Sequence, residues 1–345
     1  MTKPIDLNPG DRVLISRTDR LGDLILALPF VESLKSRYPE CAVDVLSSLY
    51  ASPILENNHR IDGIHRVLNQ QLVVDKLYKK DLLQKIRESH YKVVVALYPE
   101  RHVSHLFYKA AIPIRIGTAG RFHSVFYNRH LFHSRKSNRK HESAYNLDFL
   151  SFFRRGETVT MPSVYPREKE LNNARRILRE TGVKSRFILL HPGSGGSAER
   201  WPLERFMKLY SVLEHAGYQV VMSGSEPEGE MIEAMASEMA IPVRKITGET
   251  DLRTLAAALS MADVVVANST GPLHLAVAVG TKVVGLYPGK AVMSPQRWGP
   301  LGRNDRVLVP TKKECDCPEG HCTCMLTITV DRAAREVTDL FNHAD

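Results

Sequence analysis

The chain has 345 residues, of which 43% are hydrophobic and 25% charged, and its formal net charge at pH 7 is +9. This composition is typical of a globular protein and excludes a disordered or fibrous chain. The apolar runs are short or interrupted by charged residues, so none reaches the roughly 18 residues that a membrane-spanning helix needs. Because 345 residues exceed what one hydrophobic core usually holds, we expect two domains.

The first residues, 1–6, are polar and lack the apolar segment of a secretory signal. We therefore expect the protein to be cytoplasmic. Cysteines stay reduced in the cytoplasm. Four of the five cysteines lie close together near the end of the chain, at Cys315, Cys317, Cys322 and Cys324. Their spacing differs from the Cys-x2-Cys pairs of structural zinc sites, so a metal site and a reduced cluster are both open alternatives.

Short apolar runs alternate with helix-like segments along the whole chain. The runs are rich in Val, Ile and Leu and mostly lack polar alternation, as expected of strands that are covered on both faces. The predicted strands are residues 12–16, 42–46, 93–97, 187–191, 219–223, 264–268 and 283–287. The periodic segments between them include 24–37, 171–181, 203–216 and 252–260. This alternation predicts an α/β fold in which a parallel sheet occurs twice.

The periodicity breaks at residues 158–167, which contain Pro162 and Pro166 and no clear helix or strand. Such a segment is typical of a connection between domains. We predict a Rossmann-like domain at 1–160 and a second at 161–345. We expect their parallel sheets to face a central cleft, because clefts between domains are preferred ligand sites.

The first predicted strand leads into a polar turn, SRTDRLGD at 16–23. Ligands of open α/β sheets collect at the carboxyl ends of the strands, so this turn is a candidate site. It lacks the Gly-x-Gly-x-x-Gly fingerprint, which argues against a Rossmann dehydrogenase. Asp23 falls in the first turn of the next helix. There it could accept a proton from a substrate hydroxyl, or merely complement the helix dipole.

The positive charge of the chain is concentrated in one segment, because residues 101–155 hold eleven Lys and Arg but only two Asp and Glu. A local basic patch favours an anionic partner such as a nucleic acid, an acidic membrane surface or an anionic substrate. A solvated surface without a partner is the simpler alternative. In a nucleic-acid binder, Phe122, Phe126, Tyr127 and Phe132 could stack on bases, but that function leaves the glycine-containing junctions of the second half unexplained.

The strand at 187–191 is followed by a glycine-rich loop, HPGSGGSAERWP at 191–202. Its three glycines let the backbone approach a ligand, and consecutive N–H groups can form an anion-binding nest. Arg200 could add a cation for a phosphate. The alternative is a flexible surface turn. The chain has no Gly-x4-Gly-Lys-Ser/Thr loop, which argues against a P-loop ATPase.

The strand at 264–268 ends in NSTGP at 268–272 and leads into a helix of small residues, LHLAVAVG at 273–280. Ser269 or Thr270 can cap this helix, and Pro272 suits its first turn. The N–H groups at such a helix start attract phosphate, so we predict a diphosphate site at this junction. His274 lies one turn inside, where it either hydrogen-bonds the phosphate or is a core histidine.

Taken together, these stretches resemble the ADP-heptose:lipopolysaccharide heptosyltransferases of glycosyltransferase family nine. The matching residues are RTDRLGD at 17–23, HPGSG at 191–195 with RWP at 200–202, and STGPLH at 269–274. They occur in the family's order and spacing. Each motif alone is common, but the set is specific.

The resemblance implies a GT-B fold in which the first domain binds the acceptor and the second binds a nucleotide sugar. It implies an inverting, metal-independent transfer of a heptose or related sugar from an ADP-sugar to a lipopolysaccharide inner core, without a cofactor. Asp23 falls on the family's proposed general base. The residues expected to bind the donor are Ser194, Gly195, Arg200, Glu228, Ser269, Thr270, Gly271, Pro272 and His274.

An inner-core acceptor carries carboxylates and phosphates, which gives the basic segment a use. The residues expected to bind it are Arg20, Arg115, Arg121, Arg135, Lys136, Arg139 and Lys140. Because this acceptor is lipid-anchored, we also expect peripheral contact with the inner membrane through electrostatic attraction, and no nucleic-acid partner.

Two positions depart from the family pattern. Glu199 stands where many members have Lys, and Ser269 stands where many have Asp. Arg200 could take over the missing positive charge, and the absence of a carboxylate at position 269 could change the hydrogen bonds to the sugar. A GT-B enzyme that uses a UDP- or GDP-sugar and a non-catalytic sensor of sugar nucleotides are the remaining alternatives.

Overall fold

The computed structural model describes residues 4–135, 138–194, 199–302, 305–311 and 323–343. The chain divides into two compact units, Met1–Ser163 and Val164–Asp345, here called the N-terminal and C-terminal domains. The division falls within the segment 158–167 that the sequence marks as a connection. In the described residues, no helix combines the length and the apolar character needed to cross a bilayer.

The N-terminal domain is built on one parallel sheet. Its strands are β1 (Arg12–Arg17), β2 (Ala42–Ser48), β3 (Gly63–Val67), β4 (Val93–Ala96), β5 (Ile114–Thr118) and β6 (Arg129–Leu131). Its helices are α1 (Leu21–Ile25), α2 (Leu28–Arg37), α3 (Asn69–Val74), α4 (Lys76–Glu88), α5 (Arg101–Lys109) and α6 (Glu142–Leu147). The strand order is β3-β2-β1-β4-β5-β6, and Val13 of β1 lies opposite Val43 of β2 and Val93 of β4.

The C-terminal domain repeats this plan. Its strands are β7 (Phe187–His191), β8 (Gln219–Gly224), β9 (Lys245–Thr247), β10 (Val264–Asn268), β11 (Lys282–Leu286) and β12 (Arg306–Leu308). Its helices are α7 (Glu168–Glu180), α8 (Leu203–His215), α9 (Glu226–Glu238), α10 (Leu252–Met261), α11 (Gly271–Ala278), α12 (Pro295–Trp298) and α13 (Val330–Asn342). The strand order is β12-β11-β10-β7-β8-β9, again with parallel pairs.

The central strands are buried on both faces, which explains why their sequences lack polar alternation. Every residue of β7 and β10 is buried, as are all four of β4. All seven predicted strands are present, to within one or two residues at their ends. The core of the C-terminal domain includes the fully buried side chains of Trp201, Phe206 and Tyr210.

The helix predicted at 24–37 is wrong as a single element, because the structure has α1 and α2 there. The chain turns at Leu26 and Ala27 before α2 begins. Pro29 explains the break, since it has no N–H to continue the hydrogen bonding of α1 and its ring would clash with the carbonyl four residues earlier. The short α1 therefore ends close to the carboxyl end of β1, and Asp23 lies within it.

In both sheets the strand order reverses beside the first strand, between β1 and β4 and between β7 and β10. Connections leave the sheet on opposite faces at such a point, which opens a crevice at the carboxyl ends of the strands where ligands bind. The loops after these four strands are therefore the places to look for function in each domain.

Candidate active site

Arg17, the last residue of β1, is a buried cation surrounded by carboxylates. Its side chain is only 1% exposed. It donates from Nε to Asp19 Oδ1 (2.8 Å), from Nη2 to Asp23 Oδ1 (2.5 Å) and from Nη1 to Glu142 Oε1 (3.1 Å). Burial alone lowers the pKa of Arg17, but these three carboxylates outweigh that effect and raise the pKa above its ordinary value. The guanidinium is therefore a permanent positive charge in the N-terminal domain.

Helix α6 supplies the rest of this cluster. Glu142 and Asn146 are four residues apart, so they share one face of the helix. Arg135 donates from Nε to Glu142 Oε1 (3.0 Å) and from Nη2 to Asn146 Oδ1 (3.1 Å), and Arg17 donates to the same Asn146 oxygen (3.0 Å). Asn146 Nδ2 donates to the carbonyl of Leu26, just after α1 (3.0 Å). Helix α6 thus fixes both Arg17 and the end of the helix that carries Asp23.

Asp23 is largely buried in this cluster, with 13% of its side chain exposed. Burial raises the pKa of Asp23 to about 6; Arg17 opposes this rise, whereas Asp19 and Glu142 add to it. A carboxyl group with this pKa is mostly ionised at pH 7 but is a stronger base than an ordinary aspartate, which suits a general base. The electrostatics therefore favour a chemical role for Asp23 over simple pairing with the helix dipole.

Tyr98 and Glu100 follow β4 and border the same cluster. The guanidinium carbons of Arg17 and Arg121 each lie 5.5 Å from the centroid of the Tyr98 ring. Burial raises the pKa of Glu100, and the nearby Asp19 adds to that rise. Of the residues predicted to bind the acceptor, Arg121 and Arg135 therefore have side chains that contact this cluster.

The other predicted acceptor residues are more scattered. Arg20 is exposed at the N-cap position of α1, and Arg139 is exposed. Lys140 is half-exposed and pairs with Asp148 (2.9 Å). Lys136 lies outside the described residues.

Arg115 lies towards the amino end of β5, three residues before the strand ends. At about 3.3 Å per residue, it is roughly 10 Å from the carboxyl end of the sheet. Its side chain donates to the carbonyls of Ile112 (2.5 Å) and Phe126 (2.7 Å). The structure gives Arg115 a clear local role in holding these loops.

In the C-terminal domain, Asn268 joins the glycine-rich loop to the sheet. It is the last residue of β10 and is fully buried. Its Nδ2 donates to the carbonyl of Pro192 (2.8 Å), and its Oδ1 accepts from the backbone N–H of Trp201 (2.9 Å). One side chain therefore holds both ends of the loop 192–201 against the end of β10. Ser194 is buried in this loop, whereas Gly195 lies outside the described residues.

Helix α11 begins at the end of β10, as predicted, but its cap differs from the prediction. Thr270 is the N-cap residue, yet its hydroxyl donates back to the carbonyl of Asn268 (3.2 Å) and makes no side-chain cap bond. Pro272 brings no N–H to the first turn. The N–H groups of Thr270 and Gly271 make no hydrogen bond within the part of the chain that the structure describes, so they are suited to an anion. His274 is buried one turn further on.

Glu228 lies in the first turn of α9 and reaches towards the same loop. Its Oε2 accepts from the backbone N–H and the hydroxyl of Ser225 (2.8 and 2.9 Å). A Cβ on Gly193 would lie 2.3 Å from Glu228 Oε1, so a larger residue at this position would require the Glu228 carboxylate to move. Burial lowers the pKa of His191 to about 4 although Glu228 opposes it, so His191 is neutral at pH 7 beside the Ser223 hydroxyl (2.9 Å).

Sequence reasoning missed Lys290, which follows β11. Its Nζ lies 2.6 Å from Glu199 Oε1, and the two side chains are only 15% and 12% exposed. The sequence contained a signal for this residue. Glu199 stands where many family members have a lysine, so the positive charge of that lysine has to come from another residue. Arg200, which was expected to supply that charge, is exposed. Ser269 is partly buried, and its backbone N–H bonds the Leu286 carbonyl (3.0 Å).

Three of the clustered cysteines, Cys315, Cys317 and Cys322, lie outside the described residues. Cys324 is described and is buried in a short 3-10 helix, Thr323–Thr327. In the described ranges, no group of three or more His, Cys, Asp or Glu side chains is arranged to hold a metal ion.

The sequence model of glycosyltransferase family 9 (heptosyltransferase) matches residues 80–326, well over half of the chain. The chain belongs to glycosyltransferase family 9. It is also 27% identical over 343 residues to a protein of Haemophilus influenzae that is named as a glycosyltransferase, and this match covers 95% of the chain and 96% of that protein. The predicted family and the predicted enzyme class, a glycosyltransferase, are therefore confirmed.

Solved structures of family 9 proteins share the fold. The family 9 glycosyltransferase of Veillonella parvula superposes with a TM-score of 0.84 at 22% identity, covering 97% of this chain and 98% of that one. The ADP-heptose lipopolysaccharide heptosyltransferase II of E. coli superposes with a TM-score of 0.78 at 22% identity, covering 96% and 98%. The chain therefore has the α/β GT-B fold, as predicted.

Proposed function

We propose that this family 9 glycosyltransferase transfers a heptose or related sugar from an ADP-sugar to a lipopolysaccharide inner core. The proposed reaction inverts the anomeric carbon and uses no metal. The observation that carries the proposal is the Asp23 carboxyl group, which lies at the carboxyl end of β1 with its pKa raised to about 6, mainly by burial. The E. coli enzyme of the same fold, described as an ADP-heptose lipopolysaccharide heptosyltransferase, supports the choice of sugar and acceptor.

In this proposal, Asp23 accepts the proton of the acceptor hydroxyl while the hydroxyl oxygen attacks the anomeric carbon. Such proton transfer typically contributes about 10²–10⁴-fold in rate. Arg17 fixes one carboxylate oxygen of Asp23 at 2.5 Å, which holds the base in one orientation. The rigid support from α6 through Asn146 keeps that arrangement in place.

The bond between sugar and diphosphate breaks in the same step, and the diphosphate leaves with its electron pair. We place its negative charge at the start of α11, where the N–H groups of Thr270 and Gly271 can bind it. Fixed N–H dipoles stabilise charge that develops in a transition state. The remaining proposed donor contacts are Ser194, Gly195, Arg200, Ser269, Pro272 and His274 around the diphosphate and Glu228 near the nucleotide.

For the acceptor, we propose that its phosphates and carboxylates are bound by the basic segment. Arg121 and Arg135 have the best support, because they contact Tyr98, Glu142 and Asn146 around Asp23. The proposed acceptor is anchored in a bilayer, so we also propose that the basic segment contacts the anionic inner face of the membrane.

The test is a transfer assay with purified protein, an inner-core acceptor that lacks the terminal heptose, and ADP-heptose. We expect mass spectrometry to detect ADP and the extended acceptor as products. The Asp23→Asn variant should form almost none of either product. A thermal-shift screen of ADP-, UDP- and GDP-sugars identifies the donor, since a ligand at 100 times its Kd adds about 2.7 kcal/mol of stability. Stabilisation by UDP- or GDP-sugars alone would exclude ADP-heptose, and sugar-nucleotide binding without turnover would indicate a sensor.

A further inference from the structure

A buried ion pair joins two loops of the C-terminal domain. Lys290 Nζ and Glu199 Oε1 lie 2.6 Å apart, with side chains 15% and 12% exposed. Removing both charges from water is costly, and such pairs often add little net stability compared with apolar residues. A pair of this kind at a strand end is therefore better explained as a way to place a charge than as a structural brace.

The topology fixes where this charge lies. Glu199 is in the loop after β7, Lys290 is in the loop after β11, and β10 lies between these strands in the sheet. Neighbouring strands are about 4.8 Å apart, so a direct bond between the two loops spans the end of β10. Only two residues beyond Glu199, the backbone of Trp201 is bonded to Asn268, the last residue of β10. From this topology we infer that the ammonium group lies near the start of α11.

The loop that carries Lys290 is itself anchored. Tyr287 is fully buried, its backbone N–H bonds the carbonyl of Leu308 (2.9 Å), and its hydroxyl donates to the carbonyl of Trp298 (2.7 Å). Lys290 therefore extends from a fixed point three residues away. A cation beside the positive end of a helix is unfavourable on its own, so this position favours an anion as the third component.

We propose that Lys290 binds the diphosphate of the sugar donor and that Glu199 positions its ammonium group. This inference rests on the proposed function, because it assumes a nucleoside diphosphate at α11. Many family members have a lysine at position 199, and in this chain the positive charge comes from Lys290, which lies in a different loop. A diphosphate carries at least two negative charges, whereas Glu199 carries one. The bound donor therefore shares the Lys290 ammonium group with Glu199.

The test measures binding of ADP, as the probe, by isothermal titration calorimetry. We expect Lys290→Met to weaken ADP binding about 10- to 100-fold, the range for a lost charged hydrogen bond, and to leave adenosine binding almost unchanged. Lys282→Met is the matched control, since Lys282 is the first residue of β11, at the end of the strand away from Lys290, and bonds the His343 carbonyl. Its ADP affinity should equal that of the wild type. If Lys290→Met does not fold, Lys290→Gln keeps a hydrogen-bond donor for Glu199 and should show the same loss.

In the exchanged variant Glu199→Lys/Lys290→Glu, the ammonium group extends from the loop after β7 instead of the loop after β11. We expect it to recover most of the ADP affinity that Lys290→Met loses. Unchanged ADP affinity in Lys290→Met, with only a lower Tm, would make the pair structural and overturn the inference while leaving the proposed function intact. If the wild type binds none of ADP, UDP and GDP, the proposed function fails, and the inference fails with it.

Discussion

At the scale of single residues, the Asp23 carboxyl group owes its raised pKa to burial, with Asp19 and Glu142 adding to the effect. Arg17 limits the rise, because its guanidinium stabilises the ionised form at 2.5 Å. The balance between these groups leaves Asp23 ionised above about pH 6 and protonated below it. A general base works only in its ionised form, so this balance sets the acid limit of the reaction.

The first prediction is therefore a pH profile. We expect kcat/KM to fall about tenfold per pH unit below about pH 6, because the protonated fraction of Asp23 in the free enzyme grows in that range. Asp23→Asn should lower kcat about 10²–10⁴-fold and remove this acid limb while ADP still binds. Asp81→Asn, an exposed carboxylate on α4, serves as the control with unchanged kinetics. If the acid limb persisted in Asp23→Asn, the group responsible for it would be a residue other than Asp23.

A second residue-scale prediction concerns Arg17. Arg17→Met leaves Asp19, Asp23 and Glu142 without their shared cation in a buried site. We expect the free energy of unfolding at pH 7 to fall by about 3–5 kcal/mol, as for other buried pairs that lose one partner. The pKa of Asp23 should rise further, which moves the acid limb of kcat/KM above pH 6. Urea denaturation and the pH profile measure the two effects, with the exposed Arg176→Met as the control.

The residues at strand ends were predictable from sequence, but their distant partners were not. Asp23 lies in the short helix that follows an apolar strand and a polar turn, so its position near the carboxyl end of β1 follows from local pattern. Glu142 contacts Arg17 although 125 residues separate them. Lys290 contacts Glu199 across 91 residues. Such pairs depend on the order of strands and helices in space, which residue spacing does not encode.

At the scale of elements, the junction of β10 and α11 depends on one amide side chain. Asn268 satisfies the carbonyl of Pro192 and the N–H of Trp201, which are the two ends of the glycine-rich loop. It is fully buried, so water does not readily replace its hydrogen bonds. Pro192 and Trp201 are therefore held at the end of β10, next to the start of α11, as a preformed diphosphate site requires.

The third prediction follows from this arrangement. Asn268→Ala leaves two backbone groups unsatisfied, each costing about 1–3 kcal/mol, so we expect a loss of roughly 2–6 kcal/mol in the free energy of unfolding. ADP binding should weaken as the loop loses its position. Asn342→Ala, at an exposed asparagine at the end of α13, should change neither the free energy of unfolding nor ADP binding. If Asn268→Ala lowered the free energy of unfolding without weakening ADP binding, the loop would not be part of the donor site.

The strands with a continuous apolar pattern were predictable from sequence, whereas the polar strands were not. Strands β4, β7 and β10 are continuous apolar runs that are buried on both faces. Strands β3 (GIHRV), β6 (RHL) and β9 (KIT) are more polar and only partly buried. Their strand conformation comes from pairing with a neighbour, a tertiary effect that overrides weak local preference.

At the scale of the whole molecule, the basic segment of the N-terminal domain also exposes large apolar side chains. Phe122 and Val125 are 84% and 73% exposed and lie three residues apart in the 3-10 helix Phe122–Phe126, so they share one face. Phe132 is also 84% exposed and directly follows β6. The two loops are joined by the hydrogen bond from Ala119 N–H to the Leu131 carbonyl (3.0 Å). Exposed apolar side chains among basic residues are typical of a surface that meets an anionic bilayer.

The last prediction uses this combination of charge and apolar surface. The protein should sediment with vesicles that contain phosphatidylglycerol and much less with pure phosphatidylcholine. A triple variant, Phe122→Ser/Val125→Ser/Phe132→Ser, should lose at least tenfold in vesicle affinity, because each inserted side chain contributes on the order of 1.5–3 kcal/mol.

The matched control is Val212→Ser/Met231→Ser, two exposed apolar residues of the C-terminal domain, which should bind vesicles like the wild type. Transfer to a soluble acceptor fragment without acyl chains should be unaffected by the triple variant, since only membrane contact is removed. Equal vesicle binding by the triple variant and the wild type would leave electrostatic attraction as the sole basis of contact. Tight, salt-sensitive binding of random oligonucleotides that the three serines abolish would instead assign this surface to nucleic acid, because stacking on Phe122 and Phe132 would then be its function.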